Sequence, residues 1–328
     1  MKVLVTGGAG YFGSVLVPKL LAAGHSVTVL DNFLYGRNPL EGVMDKITVI
    51  EGDIRDMTSV VKALGNCDAV IHLASIVGDQ AGDIDPRTTI EINYLATKNI
   101  AELCELYGKK LLFASTCSVY GDGQNVVMKE DMKQVYSPLS LYGETKLKSE
   151  NAIKQFDINY AIMRMGTLFG LSGRMRFDLV INLFIAKALN KEKITVFGGQ
   201  QFRPFVHLLD ASDAFLMALE KDMKGTFNVS WKNYKLIDVA HDIMAKLGAE
   251  IEISDKIVDK RNYFVDTSKM EKLGFAPKRD IAFAVNEIKS FAKTKDYKNP
   301  IFSNFGSLLE DEEKQRKIYT LGPLSERL

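Results

Sequence analysis

A tyrosine and a lysine four residues apart are the strongest candidates for chemistry in this chain. Tyr142 and Lys146 lie in a segment that we predict to be helical, so their side chains should project from one face about one turn apart. An ammonium group held there favours the phenolate, which would let the phenol exchange protons nearer neutral pH than its reference pKa of about 10. Because the same spacing occurs by chance in many amphipathic helices, it needs support from elsewhere in the sequence.

The first residues of the chain provide that support. Residues 2–6 form a β-branched run typical of a buried strand, a glycine-rich turn follows, and an apolar pattern of helical period ends at Gly24. A glycine turn between a strand and a helix is typical of a dinucleotide site, because its backbone N–H groups can approach a pyrophosphate at the positive end of the helix. The turn residues expected to contact this cofactor are Gly7, Gly10, Tyr11, Phe12 and Gly13.

The end of the second predicted strand indicates which dinucleotide binds. Residues 26–30 lead into Asp31 and Asn32, and Asp31 lies 18 residues beyond Gly13. A carboxylate at this position accepts hydrogen bonds from an adenosine ribose and repels a 2′-phosphate, which favours NAD over NADP. Arg37 follows closely and could favour NADP, so that alternative stays open.

Strands and helices continue to alternate through the first half of the chain. Apolar, unalternating strands are predicted at 47–50, 69–73, 110–115 and 158–164, and a long helix opens at Asp85-Pro86 and runs to Tyr107. This order predicts an α/β protein with a Rossmann-like, doubly wound parallel sheet that is covered on both faces. Ligands of such sheets gather at the carboxyl ends of the strands, and Thr116 stands at one of them.

Composition narrows the classes of partner. The 328 residues include 42 Lys+Arg and 41 Asp+Glu, so the net charge of +1 argues against nucleic acid or an anionic membrane surface as the main partner. The sequence has no apolar run long enough to span a bilayer and no recognisable signal peptide. Its cysteines are three, widely separated and without metal-ligand spacing, so we expect a cytoplasmic protein with neither disulfides nor a metal site.

Beyond these patterns, the chain resembles the extended short-chain dehydrogenases/reductases, in the group of nucleotide-sugar epimerases and dehydratases. The motifs that carry the resemblance occur in the family's order over about residues 1–290. They are Gly7–Gly13, Gly52-Asp53, His72–Ala74, Ser115–Gly121, Tyr142–Lys146 and Arg203–Asp210.

The resemblance implies a domain organisation and an assembly. It places an NAD-binding Rossmann-like domain at residues 1–165 and a smaller α/β lobe for a nucleotide-diphosphate sugar at residues 166–293. A homodimer is implied, through helices around 86–107 and 142–156 of each subunit. Residues 294–328 form a charged tail that could be a docking segment, a dimer contact or disordered.

The resemblance also implies roles for individual residues. Tyr142 would remove the proton of a sugar hydroxyl, Lys146 would hold the nicotinamide ribose, and Thr116 would share a hydrogen bond with the reacting oxygen. Further cofactor contacts are expected from Asn32, Asp53, Ile54, Leu73 and Ala74. Substrate contacts are expected from Thr116, Thr167, Asn182, Arg203 and Arg261, with an ordinary surface role as the alternative for Asn182, Arg203 and Arg261.

Three departures from the family pattern bear on the reaction and the substrate. Dehydratases carry an Asp-Glu pair where this chain has Cys117 and Ser118, so dehydration is not expected, and Cys117 more often packs in such positions than it reacts. Gly166 and Thr167 replace the Phe-Asn of typical UDP-hexose 4-epimerases, and residues 171–179 resemble a branch that includes dehydrogenases and epimerases of GDP-heptoses. The nucleotide base is not readable.

The leading expectation is therefore an NAD-dependent epimerase that oxidises a nucleotide sugar transiently, usually at C4. A dehydrogenase or keto-sugar reductase acting on the same substrates is the alternative. A non-catalytic dinucleotide-binding regulator is disfavoured because Tyr142 and Lys146 are both present. A short-chain threonine dehydrogenase is disfavoured by Arg203 and by the lobe expected to bind a diphosphate.

Overall fold

A parallel sheet lies at the centre of the computed structural model, which describes residues 1–132, 138–255 and 261–319. Its strands are β1 (Lys2–Thr6), β2 (Ser26–Asp31), β3 (Thr48–Glu51), β4 (Ala69–His72), β5 (Lys110–Thr116), β7 (Tyr160–Met165) and β11 (Gly225–Val229). The spatial order is β11-β7-β5-β4-β1-β2-β3, and every neighbouring pair is parallel. The predicted doubly wound sheet is confirmed, and its order reverses between β1 and β4, where such folds bind ligands.

Helices cover both faces of this sheet, as the unalternating apolar strands predict. They are α1 (Gly13–Ala22), α2 (Met57–Leu64), α3 (Asp79–Asp83), α4 (Pro86–Ile90), α5 (Ala96–Leu106), α6 (Leu141–Ile153), α7 (Val180–Leu189), α8 (Leu208–Glu220), α9 (Leu236–Leu247), α10 (Ser268–Lys272) and α11 (Ile281–Ala292). Two large clusters of buried apolar side chains, one on each face, contain alternate residues of the central strands. No helix within the described ranges has the length and apolar character needed to cross a membrane.

The long helix predicted from residue 86 is present but contains a π-helical turn. Asp85 caps it by accepting from the Arg87 and Thr88 N–H groups, and residues 91–95 form the π turn between α4 and α5. That turn carries Asn93, whose side chain accepts from the Ile76 N–H at 2.8 Å and donates to the Ile76 carbonyl at 2.9 Å. The irregular turn therefore fixes the backbone just beyond β4, beside the predicted ligand site.

Small sheets outside the central one belong mainly to the second lobe, alongside the helices α7 to α11. They pair β8 (Thr167–Phe169), β10 (Phe202–His207) and β12 (Lys232–Lys235), then β9 (Ile194–Phe197) with β13 (Ile251–Ser254), and β6 (Asp122–Met128) with β14 (Asn262–Val265). The predicted division at residue 165 coincides with the end of β7. It does not separate two continuous stretches, because β11 returns to pair with β7.

Asp210 lies near the start of a helix but does not cap it. Helix α8 starts at Leu208 and is capped by His207, whose Nδ1 accepts from the Leu209 N–H at 3.2 Å. Asp210 lies inside the first turn, and its carboxylate instead accepts from the Arg279 N–H at 2.9 Å and pairs with the Arg279 guanidinium at 2.5 Å. The Asp210 carboxylate therefore pairs with an arginine that is distant in the sequence and does not cap the helix.

The tail is ordered over most of its length. A short 3₁₀ turn (Pro300–Phe302) leads into α12 (Asn304–Leu309) and α13 (Glu312–Tyr319). Leu308 and Ile318 are buried in the cluster under α2 and α5, so this segment docks on the central domain. Residues 320–328 of the predicted tail lie outside the described residues.

Candidate active site

An elongated cleft runs over the carboxyl ends of the central strands and brings most of the predicted site residues together. Its lining includes Gly7, Gly10, Tyr11, Phe12, Gly13, Asp31, Asn32, Asp53, Ile54, Leu73, Ala74, Thr116, Tyr142, Lys146, Thr167 and Arg261. These positions span more than 250 residues of sequence, and they meet because parallel strands deliver their ends to one edge.

The glycine turn forms one wall of the cleft as a tight backbone cradle. Gly7 has φ +73°, and a Cβ there would lie 2.7 Å from the Ala74 nitrogen. A Cβ on Gly13 would lie 2.6 Å from the Gly8 carbonyl oxygen and closer still to that of Gly7. Side chains are therefore excluded where the backbone must approach a ligand, which fits the pyrophosphate of a dinucleotide.

The carboxylate predicted to bind the adenosine ribose is held at the end of β2. Asp31 accepts from the Ala9 N–H and the Phe33 N–H, each at 2.8 Å. Burial raises its pKa, and these two hydrogen bonds act against that rise. Arg37, the residue that could have favoured NADP, is paired with Glu51 and lies 4.2 Å from the centroid of the Phe33 ring. The positive charge of Arg37 is thus already paired with a carboxylate on the neighbouring strand β3.

The three predicted catalytic residues converge at the other end of the glycine turn. Thr116 ends β5, and its hydroxyl lies close enough to the Tyr142 phenol to lower the pKa of that phenol. Ser140 caps α6 by accepting from the Gly143 N–H at 3.2 Å, which orients the turn that carries Tyr142. Lys146 is buried, and its Nζ donates to the Ala114 carbonyl at 3.0 Å. The helical spacing places both side chains on the cleft face, as predicted.

The expected direction of the Tyr142 pKa is wrong. Burial raises the pKa of the phenol, and the Thr116 hydroxyl offsets only part of that rise. Burial also lowers the pKa of Lys146 to about 7, so much of the ammonium charge that the sequence argument relied on is lost at neutral pH. Spacing on a helix predicted the neighbours correctly, but it could not show how far both groups would be desolvated.

The lowered pKa of Lys146 predicts a pH-dependent stability. Between about pH 7 and the unfolded lysine pKa of about 10.4, the unfolded chain binds a proton that the folded chain lacks, so stability rises with pH. From about pH 7 to about pH 8.5, below the range where the buried cysteines and tyrosines act oppositely, we expect wild type to gain about 1–2 kcal/mol relative to Lys146→Met. Urea unfolding of the cofactor-stripped proteins measures this difference, and parallel pH profiles for the two proteins would contradict it.

Among the described residues, Asn182 and Arg203 lie outside the cleft lining. The Asn182 amide accepts from the Gly170 N–H at 3.0 Å and donates to the Tyr11 hydroxyl at 2.8 Å. It therefore positions Tyr11 at the glycine turn from behind. The Arg203 Nη1 donates to the Phe202 carbonyl at 2.9 Å, and the guanidinium lies 5.3 Å from the Tyr263 ring centroid. Substrate contact by Asn182 or Arg203 stays a prediction.

Cys117 and His207, which belong to two of the family motifs, are both buried and make contacts inside the fold. Cys117 is buried, its thiol donates to the Arg164 carbonyl at 3.3 Å, and burial raises its pKa, which fits packing and not reaction. His207 is buried, and its Nε2 lies 2.7 Å from the Glu287 carboxylate. The burial of Cys117 agrees with the packing role expected for that side chain.

Arg174 is a site residue that the sequence reasoning missed. It lines the cleft, is 5% exposed, and lies 4.0 Å over the Tyr35 ring. None of its three guanidinium nitrogens has a hydrogen-bond partner within the described residues, and burial lowers its pKa to about 10. Its neighbour Arg176, by contrast, is paired with Asp178 at 2.8 Å. A buried cation with unused donors fits an anionic ligand such as the diphosphate of a dinucleotide.

The state of Arg174 predicts opposite effects on stability and on binding. Replacing it with methionine removes a buried charge that lacks hydrogen bonds, so the cofactor-stripped protein should melt at a higher temperature. The same change removes a charge-assisted contact, so the affinity for NADH should fall about tenfold or more. Thermal melting and fluorescence titration measure the two effects. An Arg174→Met protein that binds NADH as tightly as wild type would show that the guanidinium does not serve the cofactor.

Comparison with known proteins agrees with this geometry. Residues 3–230 match the NAD dependent epimerase/dehydratase family. A putative UDP-glucose 4-epimerase of Methanocaldococcus jannaschii is 31% identical over 304 residues, which cover 89% of this chain and 98% of the relative. A UDP-N-acetyl-alpha-D-glucosaminuronate decarboxylase of Bacillus cytotoxicus is 32% identical over 260 residues, or 74% of this chain and 79% of that protein.

A solved structure shows the same fold. It is the UDP-glucuronic acid 4-epimerase of Bacillus cereus in complex with UDP-glucuronic acid and NAD, with a TM-score of 0.76 and 27% identity. The match covers 90% of this chain and 99% of that one. The sheet topology, the glycine cradle, the meeting of Thr116, Tyr142 and Lys146 in the cleft and the sequence similarity lead to one conclusion. The chain belongs to the NAD-dependent epimerase/dehydratase family of extended short-chain dehydrogenases/reductases, and NAD is its cofactor.

Proposed function

We propose that the protein is a 4-epimerase of UDP-sugars that oxidises the sugar transiently at C4. The observation that supports this most directly is the meeting of Thr116, Tyr142 and Lys146 in one cleft with the glycine cradle. Thr116 and Tyr142 bring two hydroxyls to the same cleft, where both can face a sugar oxygen. This arrangement fits proton transfer at an alcohol carbon beside a hydride acceptor.

The residues divide the chemistry between them. Bound NAD supplies a hydride acceptor and, in its oxidised form, a positive charge that favours the Tyr142 phenolate. Tyr142 takes the proton of the C4 hydroxyl as the C4 hydrogen leaves as hydride. Thr116 donates to the same oxygen, and Lys146 holds the nicotinamide ribose. If the keto sugar turned over before the hydride and the proton returned to it, C4 would be inverted with no net redox change.

Uridine is the proposed base because the relatives and the solved neighbour reported above all act on or bind UDP-sugars. Of two alternative reactions, the site disfavours dehydration but does not distinguish oxidation with release of the product. Dehydration needs an acid and a base after Thr116, where the chain has a buried thiol and a serine. Release of the keto sugar would make the protein a dehydrogenase, and this alternative differs from epimerisation in its redox balance alone.

Asp79 supports a neutral sugar over a uronic acid. Helix α3 packs on Tyr142, since a Cβ on Gly82 would lie 3.7 Å from the Tyr142 Cβ, and Asp79 lies one turn earlier on the same face. Its Oδ2 pairs with Arg261 at 3.0 Å, while its buried Oδ1 has no hydrogen-bond partner in the described part of the chain. An unused carboxylate oxygen beside the reacting centre can accept from sugar hydroxyls, and it repels a substrate carboxylate.

A substrate panel tests the proposal. The purified protein is incubated with UDP-glucose, UDP-galactose, UDP-N-acetylglucosamine and UDP-glucuronic acid, with GDP-mannose as the control for the base. We expect one neutral UDP-sugar to reach a mixture of its C4 epimers, seen by NMR, without accumulation of NADH absorbance. Stoichiometric NADH would show a dehydrogenase, carbon dioxide release would show a decarboxylase, and turnover of the GDP-sugar alone would show the wrong base. Each of these results overturns the proposal.

We also propose a homodimer formed by the helices at 86–106 and 141–153. Leu95, Leu106 and Tyr107 are 44%, 73% and 43% exposed on the first of these helical segments and at its end. Large apolar side chains on one helical surface fit a helix-to-helix contact between subunits. Sedimentation equilibrium measures the assembly, and a monomer at micromolar concentration would contradict it.

A further inference from the structure

The end of the chain reaches the active-site cleft. Residues 303–319, called here the C-terminal strap, comprise Ser303, α12 and α13. Ser303 caps α12 by accepting from the Gly306 N–H at 3.2 Å. At the start of α12, Asn304 is 7% exposed and lines the cleft.

Asn304 connects the two sides of the cleft. Its Nδ2 donates to the Val77 carbonyl, beyond β4, at 2.8 Å. Its backbone N–H donates to the Asp178 carboxylate, in the loop before α7, at 3.1 Å. The same carboxylate holds Arg176, which also lines the cleft. The first end of the strap is therefore anchored to both lobes.

The other end of the strap is tied to the residues beyond β3. Arg55 donates from Nη2 to the Ile318 carbonyl at 2.8 Å. The same guanidinium holds the Asp53 carboxylate with two hydrogen bonds of 3.0 and 2.9 Å. Arg55 is 9% exposed, so this connection is largely shielded from water. One buried arginine thus joins α13 to a predicted cofactor contact.

The side chain of Ile318 forms part of the cleft wall. It is 2% exposed and packs in the apolar cluster that includes Ile54 and Leu30. Ile318, Asp53 and Ile54 line the same stretch of the cleft, at the carboxyl ends of β2 and β3. In doubly wound sheets that bind dinucleotides, this is the side that receives the adenosine.

Basic residues of α13 lie near acidic residues at the carboxyl ends of β2 and β3. The Lys317 Nζ lies 3.7 Å from the Glu51 carboxylate at the end of β3. Lys314 lies 5.9 Å from the centroid of the Tyr35 ring, on which Arg174 is stacked. The helix therefore supplies positive charge at the edge of the sheet where Asp31, Glu51 and Asp53 place negative charge.

We propose that the C-terminal strap forms part of the dinucleotide-binding site. It walls the adenosine end of the cleft, and the cofactor leaves only when α13 detaches from Arg55 and Ile54. Such a wall retains NAD between turnovers, as an enzyme that returns its hydride to the same sugar requires. The inference rests on NAD binding, which the proposed function shares, and not on the identity of the sugar.

The test measures the release of NADH from the full chain. Protein loaded with NADH is mixed with excess NAD, and the loss of bound NADH fluorescence gives the dissociation rate. Ile318→Asp places a carboxylate in the apolar contact beside Asp53, so we expect release to become about tenfold faster or more. Ile301→Asp is the matched control, because Ile301 precedes the strap, lies outside the cleft lining and is 53% exposed. The control should release NADH at the wild-type rate.

A second measurement uses the unaltered chain and decides the matter if Ile318→Asp does not fold. Trypsin can cleave α13 at Lys314, Arg316 and Lys317. We expect saturating NADH to slow this cleavage about tenfold, because bound cofactor holds α13 down. Cleavage unaffected by NADH overturns the proposal, as does wild-type NADH release from a folded Ile318→Asp protein, even one with a lowered melting temperature. Neither measurement requires sugar turnover, so a failed substrate panel leaves both interpretable.

Discussion

Replacing Tyr142 with phenylalanine is expected to lower kcat by a factor of about 10²–10⁴, because a positioned general acid–base contributes on that order. The substitution removes only the phenolic oxygen. Thr116 keeps its hydrogen bond from the Ser118 N–H, and the Lys146 amine keeps its bond to Ala114. The proton of the sugar hydroxyl would then have no acceptor that can return it after the hydride has moved.

Cofactor content separates a chemical effect from a structural one. The glycine cradle and Asp31 do not touch the lost oxygen, so Tyr142→Phe should purify with as much NAD as wild type. Tyr160→Phe is the matched control. Tyr160 begins β7, at the end of the strand opposite the cleft, and its change should leave kcat within about twofold. A Tyr142→Phe enzyme that retains most of its activity and its NAD would remove Tyr142 from the reaction.

The parts of the site that the sequence predicted share one property. The glycine cradle, Asp31 and the pair Tyr142 and Lys146 are each defined by short spacings within a strand, a turn or a helix. Local spacing fixes which face a side chain takes, and the parallel sheet brings strand ends to one edge. Thr116 belongs to the same class, since it needs only the end of β5. These residues therefore line the cleft as expected.

The residues that were missed depend on contacts between distant segments. Arg174 becomes a buried cation only because its loop packs on Tyr35, and Asp79 comes to line the cleft only because α3 lies on Tyr142. Two arginines in the atypical segment 171–179 were the available signal, and it was too weak to assign a role. Asn182 is the opposite case, because its motif suggested contact with a ligand. In the structure its amide instead forms hydrogen bonds with Gly170 and Tyr11.

Neither the desolvation of Lys146 nor the helices of the C-terminal tail could be predicted from the sequence, and the reasons are related. The pKa of Lys146 depends on the whole cluster of groups that excludes water from it, which no spacing encodes. Helices α12 and α13 are only 6 and 8 residues long, so their apolar residues do not repeat often enough to show a period. They are stabilised by docking on the central domain and not by helix propensity.

Gly13→Ala is expected to weaken NADH binding by about a hundredfold and to destabilise the fold by about 1–3 kcal/mol. The added methyl group would meet the carbonyl oxygens of Gly7 and Gly8, which are backbone atoms and cannot rotate away. Relief requires the turn and the start of α1 to separate. That movement spreads the backbone N–H groups that converge on the pyrophosphate, so affinity and stability should fall together.

Gly65→Ala provides a control with the same chemical change and none of the crowding. Gly65 has φ −54°, and the nearest atoms to an added Cβ lie 3.7 Å away. This variant should bind NADH like wild type and melt at the same temperature or slightly higher, since alanine restricts the unfolded chain. Fluorescence titration with NADH and thermal melting of both variants supply the comparison. If Gly13→Ala binds NADH as tightly as Gly65→Ala, the cradle tolerates a side chain. In that case the glycine turn does not serve to bring the backbone close to the pyrophosphate.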